Sequence, residues 1–380
     1  MDNKDSKFGQ FEAAFENGQR GQVSDYETWL ESHGFRPERV STEVIRSHFT
    51  EHTERTVDYD QQLQEVGEFA GHFAARGGTI HLAVTGVSGV GKTLFRRTVE
   101  DALDRVEAGL EVYSFECNDL GDKVTIGESD PSMETYEESR LQKVAEDVAG
   151  DENAVFILDD CGEDKRARKS MTRLESSVEN GLFVTFWSPE LWGYDRDEIE
   201  REIDTTKQIK LPGLSKTECS ELASALVEFI GGDAALSEDA VVPAFKHSNG
   251  IPGLFIQVLV KSLKQAFLEG QEPWDSESID QAVDQLGITD ATERVGSLSQ
   301  AKLQLIRHML IDQDPRGIRP KRLVELLDRD KSTISYHLND LLSRGLVDSV
   351  TEGRSVRYSV DRFIKPIVQM RLEKEVEING

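Results

Sequence analysis

Gly86-Val87-Ser88-Gly89-Val90-Gly91-Lys92-Thr93 decides how the rest of this 380-residue chain is read. Its spacing, G-x-x-x-x-G-K-T, is that of a phosphate-binding loop. Thr79-Ile80-His81-Leu82-Ala83-Val84-Thr85 before it has strand composition. Leu94-Phe95-Arg96-Arg97-Thr98-Val99-Glu100 after it reads as the start of a helix. The glycines let the backbone turn its N–H groups inward on phosphates, and the helix dipole favours negative charge at that end. In such a loop the lysine, Lys92, reaches the β- and γ-phosphates and the Thr93 hydroxyl binds magnesium. ATP with Mg2+ is the expected ligand.

Working outward, Ala154-Val155-Phe156-Ile157-Leu158-Asp159-Asp160 is an apolar run ending in paired carboxylates. It reads as a buried central strand whose tip enters the nucleotide site. There Asp159 holds magnesium through water and Asp160 orients or deprotonates the attacking water. Leu182-Phe183-Val184-Thr185-Phe186-Trp187 is the next strand, with Thr185 and Ser188 as candidate γ-phosphate sensors. Leu110–Phe115 and Gln208–Leu211 supply further strands, and Leu63, Val66, Phe69, Ala70 and Phe73 mark a helix before the first. The expected fold class is α/β: a parallel sheet with helices on both faces. Asn118 to Pro131 reads as a surface loop and Glu134 to Val148 as a helix.

Hydrophobic residues make up 37% of the chain, enough for real cores. The length suits two or three domains. No run of eighteen apolar residues occurs, so no membrane span is expected, and the polar N-terminus lacks an apolar signal core. A cytoplasmic location follows by default. Cys117, Cys161 and Cys219 lie far apart in sequence, which argues against a disulfide framework or a zinc site. The net charge is −27, so DNA binding has to rest on a local basic region. So acidic a chain resembles the cytoplasmic proteins of salt-loving microbes in composition.

Residues 1–57 read as a small helical region, with Ser24 to Glu27 in the form of a capping box. Residues 58–212 hold the strands just described. From 213 to 290 the pattern is helical, opened by a second capping box at Ser215 to Glu218 and broken at Gly231-Gly232. Residues 291–361 follow a different logic. Two amphipathic helices precede Lys331-Ser332-Thr333-Ile334-Ser335-Tyr336-His337-Leu338-Asn339, and two strand-like runs meet at Glu352-Gly353. That order is a winged helix-turn-helix. Its recognition helix buries Ile334, Leu338, Leu341 and Leu342 and offers Lys331, Ser332, Ser335, Tyr336 and Asn339 to the major groove of double-stranded DNA. Lys321, Arg322, Arg354 and Arg357 are the expected backbone contacts. Between Arg316 and Arg357 nine basic residues face six acidic ones, a local excess of three positive charges. Residues 362–380 read as one amphipathic helix, packed on the winged helix or forming a dimer seam.

Together the phosphate loop, the Asp159-Asp160 strand, the helical block and the winged helix resemble the AAA+/STAND group of P-loop ATPases over roughly residues 58–361. Archaeal origin-recognition initiators share the order ATPase, lid, winged helix. STAND switch ATPases share the Gly-x-Pro of Gly250-Ile251-Pro252 and paired aspartates. That resemblance implies that Pro252 lies near the adenine or ribose. No arginine stands near Gly250 as a lid sensor, and Arg168, Arg173 and Arg201 are the candidates for an arginine finger. Slow hydrolysis with nucleotide as a switch is expected. The resulting readings are ATP-controlled DNA binding in replication initiation or transcription, with protomer stacking as a homo-oligomer, and a signalling or defence switch whose winged helix contacts protein. A metabolic kinase would leave the winged helix unexplained.

Overall fold

The computed structural model describes residues 25–53, 59–106, 109–116, 153–159, 161, 178, 180–194, 206–232, 236–312, 317–353 and 355–379. Ser24, Cys117, the expected loop and helix between 118 and 148, Asp160, Arg168, Arg173, Arg201, Arg316 and Arg354 lie outside them. The described residues form two compact units, one from Met1–Asp58 with Gly213–Ile288, the other from Tyr59–Pro212 with Thr289–Gly380.

The second unit is built on five strands: β1 (Thr79–Thr85), β2 (Glu111–Glu116), β3 (Ala154–Asp159), β4 (Gly181–Trp187) and β5 (Thr206–Lys210). They pair in the order β2-β3-β4-β1-β5, every pair parallel. Every residue of β3 and β4 is buried. That explains the near-continuous apolar runs, because a parallel sheet has both faces covered. Phe156 stacks on Phe183 at 4.8 Å and on Tyr113 at 5.6 Å. The pairing register sets Thr85 beside Trp187 and Leu158 beside Thr185, so the carboxyl ends of β1, β3 and β4 finish together. Ligands of open α/β sheets bind at that edge. One buried polar knot interrupts the apolar core. Thr185 Oγ1 hydrogen bonds His81 Nε2 at 2.6 Å and accepts from Trp187 Nε1 at 2.7 Å. Full burial pushes the His81 imidazole down to about 3, so the ring is neutral.

The same unit carries the winged helix: helices Gln300–Ile311, Pro320–Leu327 and Lys331–Ser343, then the antiparallel hairpin β6 (Val347–Glu352) and β7 (Ser355–Val360). Leu303, Ile306, Leu323, Ile334, Leu338, Leu341 and Leu346 fill its core. Leu342, expected inside, is more than a third exposed, because it lies at the margin of the helix's apolar stripe. A bridge between Ile318 and Tyr358 ties the first turn to the wing. Gly317 adopts φ +88°, and a Cβ there would stand 2.7 Å from the Tyr358 carbonyl oxygen. Ile311 joins Phe156, Leu158, Phe183 and Trp187 in one buried cluster, so the winged helix is seated on the sheet. A last helix, Lys365–Asn379, follows.

In the other unit, residues 25–32 are helical and are followed by the helix Thr42–Glu51. They join Lys216–Ile230, Glu238–Ser248, Pro252–Glu269 and Ser276–Gln285. Phe35 meets the Trp274 ring edge-on at 5.1 Å and pairs with Gly231 through the backbone. Tyr26 and Trp29 lie on Phe267. The N-terminal helices therefore belong with 213–288 as one compact body, although some 160 residues separate them in sequence. The capping box at Ser215 and Glu218 forms as the sequence predicts.

Candidate nucleotide site and nucleic-acid interface

The loop after β1 takes the conformation its glycines permit. Gly89 and Gly91 adopt φ of +80° and +108°, values that side chains resist. A Cβ on Gly86 would lie 2.7 Å from Val90 Cγ1, so only glycine allows this close a turn. The helix Lys92–Asp104 starts immediately after Gly91, and its first amides lack intrahelical acceptors. Lys92 Nζ donates to the carbonyls of Gly86 at 2.8 Å and Val87 at 3.3 Å. Tyr59, in left-handed backbone, supports the loop from below. Its hydroxyl donates to the carbonyls of Val90 at 2.6 Å and Pro212 at 3.2 Å.

A polar pocket opens beside the loop, lined by Ser88, Lys92, Cys161, Phe186, Ser188, Leu191, Lys365 and Gln369. Cys161 is reached because its amide donates to the Phe186 carbonyl, which folds the end of β3 over β4. Asp159 is buried at the tip of β3, and Arg96, one turn along the loop helix, places Nε 3.2 Å from its Oδ2. That pair ties the acid to the phosphate-loop helix. Thr93 is exposed at the second position of the same helix. A glycine-rich turn at a helix N-terminus, a lysine, a threonine hydroxyl and a buried carboxylate form a set that fits a nucleotide triphosphate with magnesium.

Of the two sensor candidates, Ser188 lines the pocket. Thr185 does not serve, because it is fully buried and its hydroxyl is bound into the His81–Trp187 knot. Pro252 opens the helix Pro252–Glu269 in the other compact unit. The local reason for Gly250 is backbone crowding: a Cβ there would stand 2.1 Å from the Leu214 carbonyl oxygen.

On the winged helix, Lys331, Ser332, Tyr336 and Asn339 are exposed and Ser335 partly so. Tyr336, at 67% exposure, is the largest apolar surface this face offers. Asp330 caps the helix by accepting from the Thr333 amide at 2.9 Å, and the Ser332 and Thr333 hydroxyls hold its carboxylate well below the usual range. Lys321 is exposed. Arg322 is exposed but lies 3.3 Å from Asp312 and 3.5 Å from Glu325. Arg357 departs from its expected role. It is 5% exposed and donates to the Gly317 carbonyl at 2.9 Å, so it staples the wing to the first turn and does not face solvent.

Reading the sequence alone misses Arg96, Tyr59, Glu190 and Gln369. Arg96 sits four residues after Lys92, on the same helix face, which is the one local signal among them. Gln369 accepts from the Ser88 amide at 2.7 Å across 281 residues of chain. Its Nε2 donates to Glu190 Oε1 at 2.7 Å.

A parallel sheet ordered β2-β3-β4-β1-β5, a phosphate loop after β1, an acid at the tip of β3 and a winged helix seated on the sheet make this a P-loop NTPase fold joined to a winged helix. No protein-family model matches the chain. Among curated proteins it is similar to an uncharacterised HTH-type transcriptional regulator of Methanocaldococcus jannaschii, 25% identical over 281 residues, covering 70% of this chain and 66% of the regulator. The chain thus spans just under two thirds of that relative's length. Among solved structures it is similar to the Aeropyrum pernix ORC1 protein in complex with DNA, 15% identical with a TM-score of 0.48, over 85% of this chain and 94% of that one. It is also similar to Cdc6p from Pyrobaculum aerophilum, 17% identical with a TM-score of 0.46, over 83% and 94% of the two chains. The Thermotoga maritima RuvB branch migration motor follows, 13% identical with a TM-score of 0.42, over 84% and 95%. Among the described residues no helix is long and apolar enough to cross a membrane.

Proposed function

We propose that this protein is an ATP-binding, slowly hydrolysing P-loop ATPase whose nucleotide state controls double-stranded DNA binding by its winged helix, in replication initiation or transcription regulation. One observation carries the reading. The phosphate loop and the winged helix belong to one compact unit, joined through Ile311 in the sheet's buried cluster. A change at the loop therefore has a packed route to the DNA reader. Likeness to an HTH-type regulator supports the DNA side.

In this reading the loop amides of Gly86 to Thr93 hold the phosphates, and Lys92 leaves the Gly86 and Val87 carbonyls to meet the outer ones. Thr93 and Asp159 hold magnesium, which when bound offsets the charge of the outer phosphates. Asp159 exchanges its contact with Arg96 for the ion. Asp160 takes the proton of the attacking water. The segment order belongs to the proposal too: 1–57, ATPase core 58–212, lid 213–290, winged helix 291–361 and terminal helix 362–380, with Pro252 of the lid beside the adenine or ribose.

The test is duplex binding with ATP, with ADP and with neither, across a salt series. Affinity that differs between nucleotide states supports the reading, and equal affinity in all three refutes the control. A second reading, a signalling switch that assembles on ATP and uses the winged helix for protein contacts, is favoured by the ion-paired Arg322 and the inward Arg357. It expects ATP-driven oligomers without duplex affinity.

A further inference from the structure

The geometry points to Gln369 as a built-in competitor for the outermost phosphate, which makes the C-terminal helix the element that distinguishes ATP from ADP. This rests on the nucleotide reading of the phosphate loop and deepens it.

Ser88 is the third residue of the loop, and its amide is one of the donors that would face phosphate oxygens. It donates instead to Gln369 Oε1 at 2.7 Å. The carboxamide orientation is fixed by chemistry. The Ser88 N–H can only donate, so Oε1 must face it, and Nε2 is left to donate to Glu190, itself 6% exposed, at 2.7 Å. Gln369 is 1% exposed, so this is a buried, two-ended contact and no surface accident. Ile367 and Val368 on the same helix and Ile364 just before it are buried, and Glu373, one turn beyond Gln369, stands 3.6 Å from Lys210 at the end of β5.

Gln369 shares its pocket with Lys92, the residue that reaches the outer phosphates, and with Lys365 and Ser188. A neutral carboxamide oxygen on a loop amide is the weaker version of what an anionic phosphate oxygen would be there. A triphosphate therefore displaces Gln369, whereas a diphosphate, which leaves the outermost position open, tolerates it. Lys365, already in the pocket, is the cation left to meet the incoming charge. Glu190 loses its donor in the exchange, which keeps weaker anions from triggering it. The helix follows β7 of the winged helix across the turn at residues 361–364, so its release changes how the DNA reader is held.

The experiment measures ATP and ADP binding with Mg2+ by calorimetry on the wild type and Gln369→Ala, and hydrogen exchange of residues 365–379 on the unmodified protein. Loss of one buried hydrogen bond corresponds to an ATP affinity about threefold to tenfold tighter in the variant, with ADP changed less than about twofold. In the wild type, ATP should speed exchange in 365–379 and ADP should not. Binding of both nucleotides with ATP unaffected by the substitution, or exchange insensitive to ATP, overturns the competitor role and leaves the phosphate loop standing. No binding of either nucleotide to either protein overturns the nucleotide reading and this inference with it. ATP binding to the variant alone supports the competitor in its strongest form.

Discussion

Arg96→Met separates structural from functional roles at the β3 acid. The guanidinium Nε lies 3.2 Å from Asp159 Oδ2, and the two side chains are 13% and 6% exposed. The same group donates to Glu100 at 3.1 Å and to Ser114 at 2.9 Å. Methionine keeps the packing of the stem but leaves a buried carboxylate without this cation. Removing one partner of a buried pair costs about 3–5 kcal/mol. The more exposed Glu100 and Ser114 contacts add little, and partial solvation of the remaining carboxylate reduces the sum, so a loss of about 2–3 kcal/mol is expected. Urea denaturation without nucleotide reads it as a lower midpoint at unchanged slope. Asp159 is meanwhile released for magnesium, so the Mg2+ concentration needed for half-maximal ATP binding should fall severalfold. Stability and magnesium dependence thus move in opposite senses. A variant as stable as the wild type to within about 0.5 kcal/mol, the range of ordinary surface substitutions, would refute the pairing argument.

Lys92→Ala should weaken ATP binding by about a hundredfold, since it removes charge-assisted hydrogen bonds worth about 1.5–3 kcal/mol each; calorimetry with unchanged affinity would count against the loop. Asp160→Asn should leave ATP affinity within about twofold and lower phosphate release at least about tenfold, in line with loss of general base catalysis. Lys331→Ala and Arg354→Ala should each weaken duplex binding and reduce the salt slope by about one, read by fluorescence anisotropy from low to moderate salt. Arg357→Ala should instead lower the melting temperature with the slope unchanged, because its hydrogen bond is internal.

Charge on the winged helix is distributed differently from its linear count. Arg357 is inside, Arg322 is ion-paired, and Arg344 lies 2.8 Å from Asp340. Arg319 and Lys321 at the start of the helix Pro320–Leu327, and Arg329 and Lys331 at the turn into the recognition helix, remain exposed. A duplex would therefore be gripped at the N-terminal end of the recognition helix, with Asp330 there as a fixed opposing charge. With Arg354 these cations make about five phosphate contacts, which correspond to a salt slope near −4.5 on double-stranded DNA. That is a modest grip for a chain carrying −27, and control by a second ligand matters most for a binder with little affinity in reserve.

How far the sequence could be read follows from the range of the physics at each point. The phosphate loop was legible because its constraints are local: Gly86 has no room for a Cβ, Gly89 and Gly91 need positive φ, and all three fall within six residues. The β3 strand was legible because burial on both faces writes itself as an uninterrupted apolar run. Arg357 was misread because a period-two strand assigns its neighbours Val356 and Tyr358 inward, and nothing local reveals that the Gly317 carbonyl waits for a guanidinium. Thr185 was misread for the same reason, since its partner His81 is more than a hundred residues away. Gln369 is the extreme case. Any helix may carry a glutamine, and its meaning comes from an amide 281 residues earlier and a buried carboxylate at Glu190. Motifs record what a ligand demands of neighbouring residues. What the chain itself places in the ligand's position leaves no such trace, because one hydrogen bond between distant residues constrains two side chains and no spacing.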